Sequence, residues 1–352
     1  MSIYLVGQTN INWSVDKDFK HAKHFLEKNN FKFEGILKAS HIFFVYHNLL
    51  FKREYSWIGF FKKLLNFKLI STITNPFITE RERFKEWTDS NFNPHTVKKI
   101  MKLVDLWIAP SKRIYNFLEN HGYNVILIPF YVSNKEFFHI NKSKEDLCKE
   151  LNIDYNKVKN KVVIGSFQRD TLSNLEVPKW DKDPDLLINI LRSILNDNFI
   201  LLIAGPRRHY IVNECKKFKI PFLYYGDYSF IEEKKDDLLV NNHSAQKINL
   251  LNNLSDIIIL SSPLEGGPKG ILEASLTKTL IFSRDVGFAP DFIHKDLIYS
   301  NNDYKKVSNS IINFNNNQEK IDEYIKYNYN QVQSVMNEEN YKKLYKKLIY
   351  LS

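Results

Sequence analysis

Short apolar runs recur along the chain, each followed by a polar turn and then by a stretch whose apolar residues return every three or four positions. In the first half the runs fall at 3–6, 41–45, 69–73, 107–109 and 125–129. The helical periodicity lies between them, at about 17–29, 55–66, 94–103 and 112–120. Runs that are apolar throughout, without polar alternation, predict strands buried on both faces. Strands alternating with helices predict a parallel, doubly wound sheet. Around 134–161 the composition turns polar and lysine-rich, which predicts a linker carrying one helix. A second series opens at 162–166 and continues with runs at 199–204, 222–225, 257–260 and 280–283. Its helical stretches lie near 184–196, 207–218, 244–253 and 269–277, and from about Gln318 the chain is polar and helical to Leu351. The pattern therefore predicts an α/β protein with Rossmann-like domains over 1–150 and 151–318 and a helical segment over 319–352.

Composition narrows the class. The 352 residues are 43% hydrophobic and 14% aromatic, ample for two packed cores. The two cysteines, Cys148 and Cys215, lie far apart without metal-ligand spacing, which argues against a disulfide framework or structural zinc and fits a reducing cytosol. No apolar run is long enough to span a membrane, and the N-terminal residues lack a signal-peptide pattern. A net charge of +10 points to an anionic partner. No zinc-finger spacing, RNP-like motif or arginine-rich run accompanies it, so an anionic membrane surface is expected and nucleic acid is not. One segment could serve such a surface. On a helix Trp57, Phe60, Phe61, Leu64 and Leu65 share one face, with Lys62, Lys63 and Asn66 opposite. That is the pattern of an interfacial membrane helix and equally of a helix packed on a sheet.

The richest stretch is 254–293, LSDIIILSSPLEGGPKGILEASLTKTLIFSRDVGFAPDFI. A buried run ends in a polar loop, a helix begins at about Pro268, and a second run follows, forming a βαβ unit. Proline in a first helical turn gives up no needed N–H. The amides around Gly266 and Gly267 are then open to an anion or a hydroxyl. Glu265 sits in the loop, and Glu273 lies over a turn into the helix. Ligands bind such units beyond the carboxyl ends of the strands.

This stretch resembles the E-x7-E signature of retaining glycosyltransferases with the GT-B fold, of the family 4 type, in the branch that carries EGGP. The resemblance implies two Rossmann-like domains facing a central cleft, with a C-terminal helix packing back on the first. It implies that Glu265, with Gly266, Gly267, Pro268, Lys269 and Gly270, holds the donor sugar, and that Glu273 holds the ribose. A carboxylate suits a diol because it accepts from both hydroxyls.

Residues 162–187, VVIGSFQRDTLSNLEVPKWDKDPDLL, stand where the family binds the donor diphosphate with an arginine and a lysine. Arg169 matches the arginine. Lys182, just before the helix start at Pro184, best matches the lysine, and Lys179 is the close alternative. Cations placed there would stabilise charge gathering on the leaving diphosphate, so no metal or other cofactor is expected. The aspartates of DKDPD read as helix caps. Further along, Gly205, Arg207, Arg208 and His209 in LLIAGPRRHY resemble a loop near the nucleotide, and either arginine could instead be surface charge. Gly226, after two tyrosines, resembles a loop that meets the base. On the acceptor side the family's usual histidine is replaced by Thr74, followed by Asn75, and His47 is another candidate. The implied function is transfer of a sugar from a UDP- or GDP-linked donor to a glycan or lipid-linked acceptor, with retention, in bacterial surface polysaccharide synthesis. A nucleotide-sugar epimerase or hydrolase, or a non-catalytic subunit of the same fold, stays open. A cytoplasmic protein, peripheral on the membrane's inner face, is expected.

Overall fold

A computed structural model describes residues 1–8, 14–74, 94–194 and 198–350. The chain forms two compact units, one of Met1–Tyr131, Glu265–Gly267 and Val335–Ser352, the other of Val132–Leu264 and Pro268–Ser334. In the first, strands β1 (Ser2–Val6), β2 (Lys32–Phe33), β3 (His41–Phe44), β4 (Lys68–Thr72), β5 (Leu106–Ala109) and β6 (Val125–Leu127) form a parallel sheet ordered β2-β1-β3-β4-β5-β6. Ile42, Phe44, Leu69, Trp107 and Ala109 are buried from it into one core. Strand β2 leaves no apolar run in the sequence because it is a short, exposed edge.

The predicted return of the C-terminal helix is present within this unit. Helix Glu338–Lys346 packs on helix Ser14–Lys28, where the Phe25 ring meets Tyr341 at 5.4 Å and Tyr345 at 5.5 Å. The Tyr341 hydroxyl donates to the carbonyl of Pro129 at 3.0 Å. The predicted helical segment over 319–352 holds two α-helices among its described residues, Gln318–Val335 and Glu338–Lys346, because Asn337 caps a new start by accepting from the Asn340 amide.

The second unit holds β7 (Val162–Ser166), β8 (Phe199–Ala204), β9 (Phe222–Tyr225), β10 (Ile257–Leu260), β11 (Leu280–Arg284) and β12 (Ile298–Tyr299). They pair in parallel in the order β12-β11-β10-β7-β8-β9. The apolar runs of β8 and β10 are buried at every position, as helices on both faces of a parallel sheet require. From β7 the chain moves outward through β8 and β9, then returns to place β10 on the other side of β7. That reversal opens a crevice at the carboxyl ends of β7 and β10, the place where doubly wound sheets bind ligands. The two sheets with their flanking helices make the architecture GT-B.

Two sequence expectations gain detail here. The polar stretch 134–161 carries the one expected α-helix, Lys144–Leu151, which packs on helix Ala245–Leu254 in a cluster that buries Leu147, Cys148, Leu151 and Val158. Its lysines cover an apolar face that composition alone averages away. The second concerns the face of helix Ile58–Leu65. Ile58 is buried and Phe61 lies against the core, while Lys62 turns inward to Asp105 at 2.8 Å instead of standing opposite with Lys63. The exposed apolar side chains are Phe60 (70%) and Leu64 (65%), with Leu65 beside them.

Gly165 shows how tightly the centre of the second sheet is packed. A Cβ there would lie 2.4 Å from Ile258 Cδ1 and 2.6 Å from Ser255 Oγ. Gly165→Ala is expected to cost about 1–3 kcal/mol by overpacking, read as a lower urea midpoint at unchanged slope. An unchanged midpoint would mean that β7 and β10 can separate without penalty.

Candidate functional site

The loops leaving β7 and β10 are tied to each other. Ser262 Oγ donates to Gln168 Oε1 at 3.2 Å, and Ser261 Oγ donates to the Lys182 carbonyl at 2.8 Å. From behind, the Tyr299 hydroxyl donates to the Leu260 carbonyl at 3.0 Å. Arg284 bridges Asp183 (2.8 Å) and the Ser261 carbonyl (3.3 Å). Arg169 follows Gln168, and Glu265 follows Leu264 in the loop after β10, so both expected site residues leave the sheet at the switch point. Helix Lys269–Leu276 starts just after Pro268, which is extended at φ −71° and ψ 103°, and Glu273 lies in its second turn. Lys269, Gly270 and Glu273 are half-buried, and Gly266, Gly267 and Pro268 are buried.

Beneath these loops Arg208, read from the sequence as a pocket-edge or surface cation, is instead half of a buried pair. The Arg208 side chain, 1% exposed, donates to the Ser166 carbonyl (2.9 Å), Ser166 Oγ (2.8 Å) and the Ala204 carbonyl (3.3 Å). Its Nε stands 3.5 Å from the Asp170 carboxylate, 2% exposed, which also accepts from the Ile211 amide at 2.9 Å. Burial pushes the Asp170 carboxyl up to about 6 against the opposing pull of Arg208. The Asp170 carbonyl accepts from the Lys179 amide at 2.6 Å, so this pair also fixes the segment bringing Lys179 and Lys182 back to the crevice. The only cue in the sequence was a charge next to the end of each apolar run, at Asp170 and Arg208.

The cations above form one electrostatic group. Burial first, and then the charge of Arg207, pull the half-buried Arg169 guanidinium below its ordinary value, while Asp181 and Asp236 pull it back. Arg207 is gripped bidentately by Asp236, Nε to Oδ1 at 2.9 Å and Nη2 to Oδ2 at 2.6 Å. Its backbone is left-handed (φ 56°), which starts the following helix at His209 instead of 207. Lys179 pairs with Asp181 at 2.7 Å, and Lys182 ends the short turn Trp180–Lys182. The DKDPD aspartates diverge. Asp181 holds Lys179, Asp183 caps the Leu186 amide (3.2 Å), and Asp185 accepts from the Tyr210 hydroxyl (2.5 Å). Among the described residues no group of three or more His, Cys, Asp or Glu side chains is placed to share a metal ion.

The loop after β8 passes Gly205 at φ 92°, where a Cβ would meet the Phe167 carbonyl at 3.0 Å. The loop after β9 turns at Gly226 against Asn241. Asn241 Oδ1 accepts from the Asp227 amide at 2.8 Å, and its Nδ2 donates to Asp237 at 2.7 Å and to the Tyr224 hydroxyl at 2.9 Å. Asp237, itself fully buried, accepts the Arg207 amide at 2.6 Å. The segment from Asp236 to Asn241 thus clasps the β8 and β9 loops together, a role no sequence motif announced.

In the first unit two acceptor-side candidates meet. Thr74 donates from its amide to His47 Nδ1 at 3.1 Å. With Nδ1 accepting, the proton of the neutral ring sits on Nε2. His47 is fully buried, and burial pulls its imidazole down to about 3. Asn75 lies outside the described residues.

No family model matches the chain, and no curated protein matches it in sequence. Solved structures do match in shape. HepE of Anabaena, in a complex with UDP-glucose, superposes with a TM-score of 0.71 at 13% identity over 99% of both chains. Sucrose-phosphate synthase of Thermosynechococcus elongatus gives 0.67 at 15% identity over 94% of this chain and 77% of that one. A glycosyltransferase of Rickettsia africae gives 0.60 at 17% identity over 98% and 84%. At these identities the likeness concerns the fold.

His47 yields a pH prediction. Its folded value lies below the ordinary 6.5, so as pH falls the unfolded chain takes the proton first. Stability that is present above pH 6.5 is therefore lost as pH falls toward about 3, by at most ~1.4 kcal/mol per pH unit. Denaturant midpoints measured across that range should fall less steeply in His47→Gln than in the wild type. Parallel profiles would show that the ring already titrates normally.

Proposed function

We propose that this protein transfers a sugar from a UDP- or GDP-linked donor to a glycan or lipid-linked acceptor, with retention at the anomeric carbon, in bacterial surface polysaccharide synthesis. The observation that carries this is the cation group of Arg169, Arg207 and Lys179 at the β7 and β8 exits, in the same sheet as β10, after which the E-x7-E segment follows in sequence. A diphosphate is the ligand such a group suits, because its charge would relieve the repulsion between the two arginines. In this assignment Arg169 with Lys182 or Lys179 takes the diphosphate. Glu273 takes the ribose hydroxyls, and Glu265 with the amides of Gly266 and Gly267 takes the sugar. The β8 and β9 loops that carry Gly205 and Gly226 take the nucleotide in the same assignment. Structural likeness to HepE, which binds UDP-glucose, supports a UDP-linked donor.

The chemistry assigned is same-face substitution. The bond from the anomeric carbon to the diphosphate oxygen breaks, the acceptor hydroxyl bonds to that carbon, and its proton passes to the departing phosphate. Negative charge grows on the leaving group, where fixed cations help most. In this proposal these side chains supply that charge and the reaction needs no metal. Peripheral membrane attachment belongs to the same proposal. Phe60, Leu64 and Leu65 stand exposed around Lys63, an apolar tip with a basic flank suited to an anionic leaflet. No helix among the described residues is long and apolar enough to cross a membrane.

Calorimetry with UDP should show Glu273→Ala weakening binding by about one to two decades, the worth of a charged acceptor. Arg169→Ala should lower kcat more than it raises KM, and EDTA should leave turnover unchanged. Unaltered UDP affinity in Glu273→Ala would remove the ribose role, and donor conversion without any acceptor would favour the epimerase or hydrolase.

Sedimentation with phosphatidylserine vesicles should retain the wild type at low salt and lose Phe60→Ser with Leu64→Ser, since a nearby lysine alone adds only about 1 kcal/mol. Lys62 is left intact in this test because it holds Asp105. Equal sedimentation of both proteins would show that this tip does not touch lipid.

A further inference from the structure

Arg207 already holds an oxyanion. Asp236 meets its guanidinium through two short, parallel hydrogen bonds, the same fork that arginine offers a phosphate. The pair is not part of the core: Asp236 is 45% exposed and Arg207 12%. The neighbouring Asp170–Arg208 pair, wholly buried, has no such access to a ligand. The Asp236 carboxylate also lies close enough to Arg169 to be felt there, so one acidic side chain faces both arginines of the group. Its placement is enforced. Asp237 caps the Arg207 amide, Asn241 anchors the far end of the segment, and the Asp236 carboxylate accepts from the Leu238 amide at 3.1 Å. Arg207 itself is held at a positive φ, a conformation costly for a residue with a Cβ. Two separate devices, on the backbone and on the side chain, thus bring this arginine and this aspartate face to face.

We propose that Asp236 is a resident stand-in for a donor phosphate, occupying Arg207 in the empty protein and exchanged for the diphosphate when the donor binds. This rests on the nucleotide-sugar assignment above and extends it to selectivity. A carboxylate brings one charge to one guanidinium. A diphosphate bridges Arg207 and Arg169 and displaces it, whereas weaker single-charge anions compete poorly. The exposed pair is released at little cost, and the clasp at Asp237 and Asn241 keeps the arginine in place after the exchange.

Calorimetry with inorganic pyrophosphate tests this on the full chain. Asp236→Asn should bind it about two- to fivefold tighter than the wild type, the worth of removing one competing ion pair at a partly exposed site. Arg207→Ala should bind it more weakly, and in the Arg207→Ala background the Asp236→Asn gain should vanish, which a double-mutant cycle reads directly. Equal or weaker binding by Asp236→Asn would overturn the exchange. A gain that persists without Arg207 would overturn it too, because it would be only a change in the local field. Absence of pyrophosphate binding by every variant would also overturn it. Asp236→Ser, checked by its melting temperature, serves if the asparagine variant folds poorly. The same proteins titrated with UDP separate the two ideas. A pyrophosphate gain with no nucleotide bound leaves the exchange standing and removes the donor assignment. UDP bound equally by wild type and Asp236→Asn keeps the donor assignment and removes the exchange.

Discussion

The candidate site depends on one buried guanidinium. Arg208 reaches under the sheet's carboxyl edge and joins the ends of β7 and β8 through Ser166 and Ala204, with Asp170 as its counter-ion. Taking both charges out of water is expensive, and such pairs seldom add net stability over well-packed apolar side chains. What they add is definition, because each donor must find its acceptor or remain unsatisfied in a low-dielectric interior. Here the defined object is the loop carrying Arg169 and the return of Lys179, both anchored through the backbone of Asp170.

Around that anchor the charges differ in exposure. The Asp170–Arg208 pair is closed to solvent, whereas the Arg207–Asp236 pair, Arg169 and Lys179 are only partly buried. Coulomb interactions strengthen as solvent is excluded, so the wholly buried pair is held more firmly than the partly exposed ones. Arg207 and Arg208 are neighbours in sequence, yet one is partly exposed and the other wholly buried.

The first unit shows the reverse economy of charge. His47 is kept neutral by burial and spends Nδ1 on the Thr74 amide, which fixes the backbone at the end of β4. Such a ring has no exposed edge to offer an acceptor, so its role lies in positioning the loop. Lys62 behaves similarly, drawn inward to Asp105, and this leaves the apolar tip of its helix to Phe60 and Leu64.

The sequence alone determined the series of parallel strands, because strands buried on both faces must be apolar at every position, and β8 and β10 are. It also marked the exits where the candidate site residues leave the sheet, since glycines, charges and a proline gather after β7 and β10. Edge strands β2 and β12 were invisible, being too short to carry a period. The burial of helix Lys144–Leu151 was hidden under its lysines. Pairings between distant residues were decided only by the tertiary structure. Arg207 with Asp236, Gln168 with Ser262 and Arg284 with Asp183 are contacts that no local spacing encodes. Local periodicity reports which face of an element is buried, whereas partner choice depends on strand order, and strand order is settled by how the whole sheet closes its core.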